Sequence, residues 1–220
     1  MKNFKLELRG LKKIFKRLEQ MMTNLINEKI KILGGMEKLR GEGKILSNDV
    51  IKEFESATSL TLPEDYKYFL KIYGDAYFNE YVVYSPKSET AIYVHDEVDE
   101  LPNYWFKGSS VGSFHGLHVD DEDEELELMT WFKCYKERMP ERFLAIADDG
   151  MGNQVCMSLA EVDYGKVYWW DHENEWDAEG YEEDTGKAMP DEAKYQNVYL
   201  LAESFTEFIQ GLTIYEDDED

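Results

Sequence analysis

The segment from Phe143 to Glu173, FLAIADDGMGNQVCMSLAEVDYGKVYWWDHE, constrains the fold more than any other part of the chain. Three apolar runs follow one another at 143–147, 154–159 and 167–170. Between the first two, Asp148, Asp149, Gly150, Gly152 and Asn153 tolerate positive φ or bond to their own backbone. Gly165-Lys166 leads into the third. Short runs rich in Val, Ile, Tyr and Trp, separated by turn chemistry, predict three antiparallel strands joined as a meander.

The flanking sequence supplies the elements that frame this meander. Ser47 or Asn48 can cap a helix whose apolar face is Val50, Ile51, Phe54 and Ala57. Pro63 suits the start of the next helix, with Glu64 and Asp65 in its first turn and a buried stripe of Tyr66, Phe69, Leu70 and Tyr73. Strands are expected at Tyr81–Tyr84 and Ala91–His95 around a hairpin loop at Pro86-Lys87-Ser88, with another at Val111–Leu117. Glu122–Arg138 reads as a helix with Leu126, Met129, Phe132 and Cys134/Tyr135 inward. Asn174–Ala193 reads as a polar loop of low regularity. A closing helix carries Ala202, Phe205, Phe208, Ile209 and Leu212. Strands framed by helices without regular alternation predict an α+β fold with a mostly antiparallel sheet.

Residues 3–33 predict a long helix ended by Gly34-Gly35. Phe4, Leu8, Leu11, Phe15, Leu18, Met22 and Leu25 recur at alternating spacings of four and three, one stripe with a period near 3.5. Such a stripe is covered either by the domain or by a second copy, as a homodimer through this helix. Lys12, Lys13, Lys16 and Arg17 lie off it, so a basic arm for a membrane surface or an acidic partner is a rival reading. A start at Met21 or Met22 is a further alternative. The chain divides into a basic helical extension at 1–43, a main domain at 44–215 and an acidic, disordered tail at 216–220.

Charge is unevenly spread. The net charge is -23, but residues 1–44 hold 12 Lys/Arg and 5 Asp/Glu, a balance of +7, leaving -30 on the remainder. A domain so acidic repels nucleic acid and anionic lipid and attracts basic proteins. No apolar run is long enough to insert in a membrane, and no apolar signal core follows the charged N-terminus. Cys134 and Cys156 lack metal-type spacing and read as reduced, buried thiols. These features together predict a cytoplasmic protein.

Three blocks carry a family resemblance. LTLPEDYKYFLKIYGDA at 60–76, the FLAIADDGMGNQV…GKVYWWDHE block and LAESFTEFIQGL at 201–212 occur in the order found in the SUKH superfamily, the SMI/KNR-type domain. The usual Asn-Gly after the first block is Tyr73-Gly74 here, and Gly74 still provides the helix stop. The resemblance covers about residues 45–213 and implies a single sheet with helices packed on one side and at the ends.

Candidate chemistry is weak. His115 and His118 precede Asp120, Asp121, Glu122 and Asp123, but no second histidine pair completes a tetrahedral site and no calcium-loop glycine is present. Gly108-Ser109-Ser110-Val111-Gly112 fits a nucleophile elbow, yet the following Ser113-Phe114-His115-Gly116 starts no helix. Asp171-His172-Glu173 could form a general base, but its position favours side-chain hydrogen bonds that fix a strand end. No phosphate loop or dinucleotide fingerprint occurs. Neither catalysis, a metal nor a cofactor is expected.

What remains is a combination of aromatic and acidic side chains. Trp105, Phe106 and Trp131 flank the run containing Asp120, Asp121, Glu122, Asp123 and Glu124. Trp176 and Tyr181 sit among Asp177, Glu179, Glu182 and Glu183. Aromatic anchors with a charged rim are how protein interfaces are built, so these are the expected partner-binding residues. The resemblance implies a bacterial immunity protein that binds and neutralises a cognate polymorphic toxin, often a nuclease, which would be basic. The alternative implied by the same resemblance is a regulatory scaffold binding several cytosolic partners.

Overall fold

The computed structural model describes residues 2–38, 45–93, 106–117 and 127–216, with side chains along the first helix from Lys13 onward. The meander forms as expected. Strands β5 (Phe143–Asp148), β6 (Gln154–Ser158) and β7 (Val167–Trp170) pair antiparallel in sequence order, and β8 (Val198–Ala202) adds to β7. Every residue of β6 and β7 is buried, so both faces of this sheet are covered and the strands read as apolar runs rather than alternating patterns.

On one face Leu144, Ile146, Val155, Met157, Val167, Trp169, Tyr199 and Leu201 join the main core. The helices of that core are the C-terminal part of α1 (Lys2–Ile32), α2 (Asn48–Thr58), α3 (Glu64–Tyr73) and α6 (Phe205–Gly211), joined by Leu128 at the start of a further helix. Phe205 lies at its centre, with ring centroids 5.1 Å from Tyr66 and 4.9 Å from Phe69. The buried Asp65 carboxylate accepts from both the backbone N–H and the hydroxyl of Thr206, each at 2.9 Å, which fixes α3 to α6. Gly74 stops α3, its N–H donating to the Leu70 carbonyl. On the other face Phe143, Ala145, Cys156, Tyr168, Trp170 and Val198 pack against Tyr135 and Met139. Tyr135 ends α4 (Leu128–Tyr135), which lies beside β5.

Two shorter ladders form small sheets of their own. Strand β1 (Met36–Lys38) pairs with β2 (Ala76–Phe78), and β3 (Val82–Tyr84) lies between β4 (Ser109–Ser110) and β9 (Thr213–Ile214). Single bridges from Ser113 to Tyr77 and from Phe114 to Ala147 tie these ladders to β5. The segment expected as a strand at Val111–Leu117 is thus an irregular bridging stretch.

Four further expectations change. The hairpin across Pro86-Lys87-Ser88 does not form: Lys87 and Ile92 donate instead to the Leu200 and Val198 carbonyls of β8, and residues 94 and 95 lie outside the described residues. The acidic loop holds α5 (Ala178–Thr185) and a 3-10 helix at Asp191–Tyr195. Asp177 nucleates α5 by accepting from the Gly180 N–H at 2.8 Å, and Gly186 in the left-handed region ends it. The closing helix begins after Ser204, whose hydroxyl accepts from the Glu207 N–H, so Ala202 belongs to β8. Cys134 is exposed rather than buried, because α4 turns Leu128 and Tyr135 inward instead; Cys156 is buried. Of the helix expected from Glu122, residues 122–126 lie outside the described residues, as do 217–220 of the tail.

The first helix forms as read; the side chains of Phe4, Leu8 and Leu11 lie outside the described residues, and the rest of its stripe is not what the domain covers. Ile26, Ile30 and Leu33 enter the core, whereas Phe15, Leu18 and Leu25 remain exposed. The buried line is offset by about one residue from the sequence stripe, roughly 100° round the helix.

Candidate functional site

The residues that most invite an active-site reading form the β5–β6 turn. Asp149, 2% exposed, is its centre. Its Oδ1 accepts from the Met151 and Asn153 N–H groups, and its Oδ2 from Asn153 Nδ2, Ser109 Oγ and Trp169 Nε1, at 2.8 to 3.3 Å. Asp148 accepts from the Gly150 and Ser113 N–H groups, and burial raises its pKa. Asn153 in turn accepts from the His172 backbone N–H, and its Oδ1 lies 2.9 Å from His172 Nδ1. Gly152 at φ +100 lets this ring close over the turn: a Cβ there would come within 2.7 Å of His172 Cε1. Ser110 donates to the Asp149 carbonyl, and no helix follows it. The carboxylates, the serine and the histidine are engaged with one another as parts of a turn.

His115 is buried beside this turn, with Nε2 3.0 Å from Gln154 Oε1 and no partner for Nδ1. Burial pushes its pKa down to about 4 despite the Gln154 contact, so the ring is neutral near pH 7. It stacks on Trp131, which stacks on Tyr135 at 5.2 Å. His118 lies outside the described residues. Among the described residues no group of three or more His, Cys, Asp or Glu is placed to hold a metal ion.

The expected contact residues fall into three sets. Trp105, Asp120, Asp121, Glu122, Asp123 and Glu124 lie outside the described residues. Phe106 and Tyr181 are buried: Phe106 stacks flat on Trp169 at 3.8 Å, and Tyr181 meets Trp176 edge-on at 5.1 Å. Tyr181 therefore supports the surface of α5 from beneath, whereas Phe106 belongs to the main core on the other face of the sheet from Trp131. Trp131 and Trp176 are half-buried, and Asp177, Glu179, Glu182 and Glu183 are exposed. Tyr181 is the anchor that turns the acids of α5 outward, since offsets of one and two residues put Glu179, Glu182 and Glu183 on other faces of the helix.

A link between the two segments was missed in the sequence. Arg138 lies over the rings of Tyr135 and Trp170 at 5.0 and 5.3 Å and makes a two-pronged ion pair with Glu175. The stack from Trp131 through Tyr135 to Arg138 thus reaches the residue before Trp176. Burial pushes the Tyr135 hydroxyl up to about 12. An Arg shortly beyond an aromatic stretch has no sequence signature that would pair it with Glu175, 37 residues on. This face presents apolar edges and carboxylates.

The family model for "SMI1 / KNR4 family (SUKH-1)" matches residues 45–211. The chain belongs to this SMI1/KNR4 family. A relative from Bacillus subtilis (strain 168), "SPbeta prophage-derived uncharacterized protein YokK", is 30% identical over 168 residues, covering 76% of this chain and 75% of its own. No solved structure matches at a significant level. SMI1/KNR4-type domains are non-catalytic interaction modules, often linked to toxin-immunity systems. The family match begins after α1, although Ile26, Ile30 and Leu33 of that helix and its end complete the same core. No helix among the described residues is long and apolar enough to cross a membrane.

Proposed function

We propose that this protein is an immunity protein that binds and neutralises a cognate, basic bacterial toxin in the cytoplasm by stoichiometric association. The observation that carries the reading is a balance of -30 outside residues 1–44 in a domain of this family. A toxin that holds nucleic acid must be basic, so an acidic inhibitor meets it quickly and competes with phosphate for its groove. The contact surface is Trp131, Trp176, Asp177, Glu179, Glu182 and Glu183, held in shape by Tyr181; on sequence grounds Trp105 and Asp120 to Glu124 are further contact residues. A half-buried tryptophan beside carboxylates on a capped helix provides an anchor and a rim. Co-expression with candidate toxins encoded by neighbouring genes tests the reading. Rescue of growth, with a one-to-one complex on purification, is the expected result. Growth arrest despite well-folded protein, with no complex recovered, refutes it.

A further inference from the structure

The middle of α1, residues 13–21, leaves the domain uncovered. The helix is continuous from Lys2 to Ile32, about 46 Å at 1.5 Å per residue. Among its described side chains, those that enter the core are Ile26, Ile30 and Leu33, in the last two turns and the residue after them. Every described residue from 13 to 21 is exposed, including Ile14 at 57%, Phe15 at 62%, Leu18 at 45% and Met21 at 53%. An isolated helix of this kind is marginal in water without tertiary contacts.

We infer that this stripe is the seam of an antiparallel two-helix coiled coil with a second copy of the chain. The spacing of four and three along Phe15, Leu18, Met22 and Leu25 is a heptad seam, and in the sequence it continues back through Leu11, Leu8 and Phe4. Lys13, Lys16 and Arg17 fall off the seam, toward the other side of the helix. Ile14 and Met21 widen the seam on one flank, and an antiparallel pair sets such flanks against each other. Charge fixes the orientation. Residues 1–17 carry seven Lys/Arg and one Glu, while the bodies hold -30 each. A parallel pair would bring both acidic bodies to the same end. An antiparallel pair separates them and lays each basic arm beside the acidic body of the other copy. In that register Phe15 faces Leu18 of the second copy.

Sedimentation velocity on the full chain at micromolar concentration tests this directly. A mass twice that of one chain is expected, falling to one chain for Leu18→Glu with unchanged thermal unfolding of the body. Orientation is read by mixing Phe15→Cys and Leu18→Cys copies, each on a Cys134→Ser background, under oxidation. A disulfide between the two different copies is expected. A monomer at all concentrations, or monomeric binding to anionic vesicles through the same stripe, overturns the dimer. Phe15-to-Phe15 linkage in preference to the mixed product overturns the antiparallel arrangement.

Discussion

Replacing Asp149 by Asn should show that the turn between β5 and β6 is a structural device. The substitution keeps side-chain volume and removes the charge from a site 2% exposed. Five donors converge on the carboxylate: two backbone N–H groups at Oδ1, and Asn153 Nδ2, Ser109 Oγ and Trp169 Nε1 at Oδ2. The carbonyl of the new amide can replace Oδ1, but its NH2 then faces the three donors at the other position. The Ser109 hydroxyl can rotate and accept. The Asn153 amide and the Trp169 indole cannot, and each is left without an acceptor at a cost of about 1–3 kcal/mol. Loss of charge assistance on the remaining bonds adds to this. The expected destabilisation is about 4 kcal/mol, a large fraction of the stability of an ordinary domain. Urea unfolding followed by tryptophan fluorescence measures it, with the slope unchanged so that the midpoint reports stability. A loss below about 1 kcal/mol would refute the argument that this carboxylate organises the turn.

Phe205→Ala should cost about 4 kcal/mol, because a fully buried ring among Tyr66, Phe69 and Phe114 is removed; the same unfolding assay measures it. Gly152→Ala should destabilise clearly more than Gly150→Ala in thermal melts. Both sit at positive φ, but only Gly152 faces the His172 ring, 2.7 Å from a new Cβ, while Gly150 has open space. His115 should make stability fall with acid. The unfolded ring takes up a proton near pH 6.5, whereas the buried ring resists it until about pH 4. Its contribution is complete above pH 6.5 and is lost as pH falls from there to about 4, by roughly 3 kcal/mol. His115→Gln should remove that part of the pH slope in unfolding titrations.

Legibility in the sequence followed how local each determinant is. The meander could be read because strand propensity, turn residues and strand length agree over 31 residues. Ser47 and Gly74 were readable for the same reason: a cap acts within one turn of its helix. The hairpin at 86–88 failed because edge pairing is decided by distant partners. The N–H groups of Lys87 and Ile92 find β8, about a hundred residues on, and β3 finds β4 and β9. Helix α5 was hidden by its acidic composition, since only Tyr181 is buried and the apolar periodicity is too thin to see. On α1 the stripe was legible but not its use: the sequence shows seven aligned apolar residues, and the domain instead covers Ile26, Ile30 and Leu33 one position round the helix. At the candidate site, the acids and tryptophans stood out, but burial separates Phe106 and Tyr181 from the surface. The Arg138–Glu175 link that joins the two segments has no local signal.

The central proposal is recognition of a basic protein through an acidic face, without chemistry on it. The association rate with a toxin that co-expression identifies, measured by stopped flow across ionic strength, tests that claim most directly. The account predicts a rate that falls steeply with salt. It also predicts a loss of at least about tenfold at low salt for the combined Glu179→Lys, Glu182→Lys and Glu183→Lys variant, with unchanged unfolding. A salt-independent rate, or full-speed association by that variant, would contradict it.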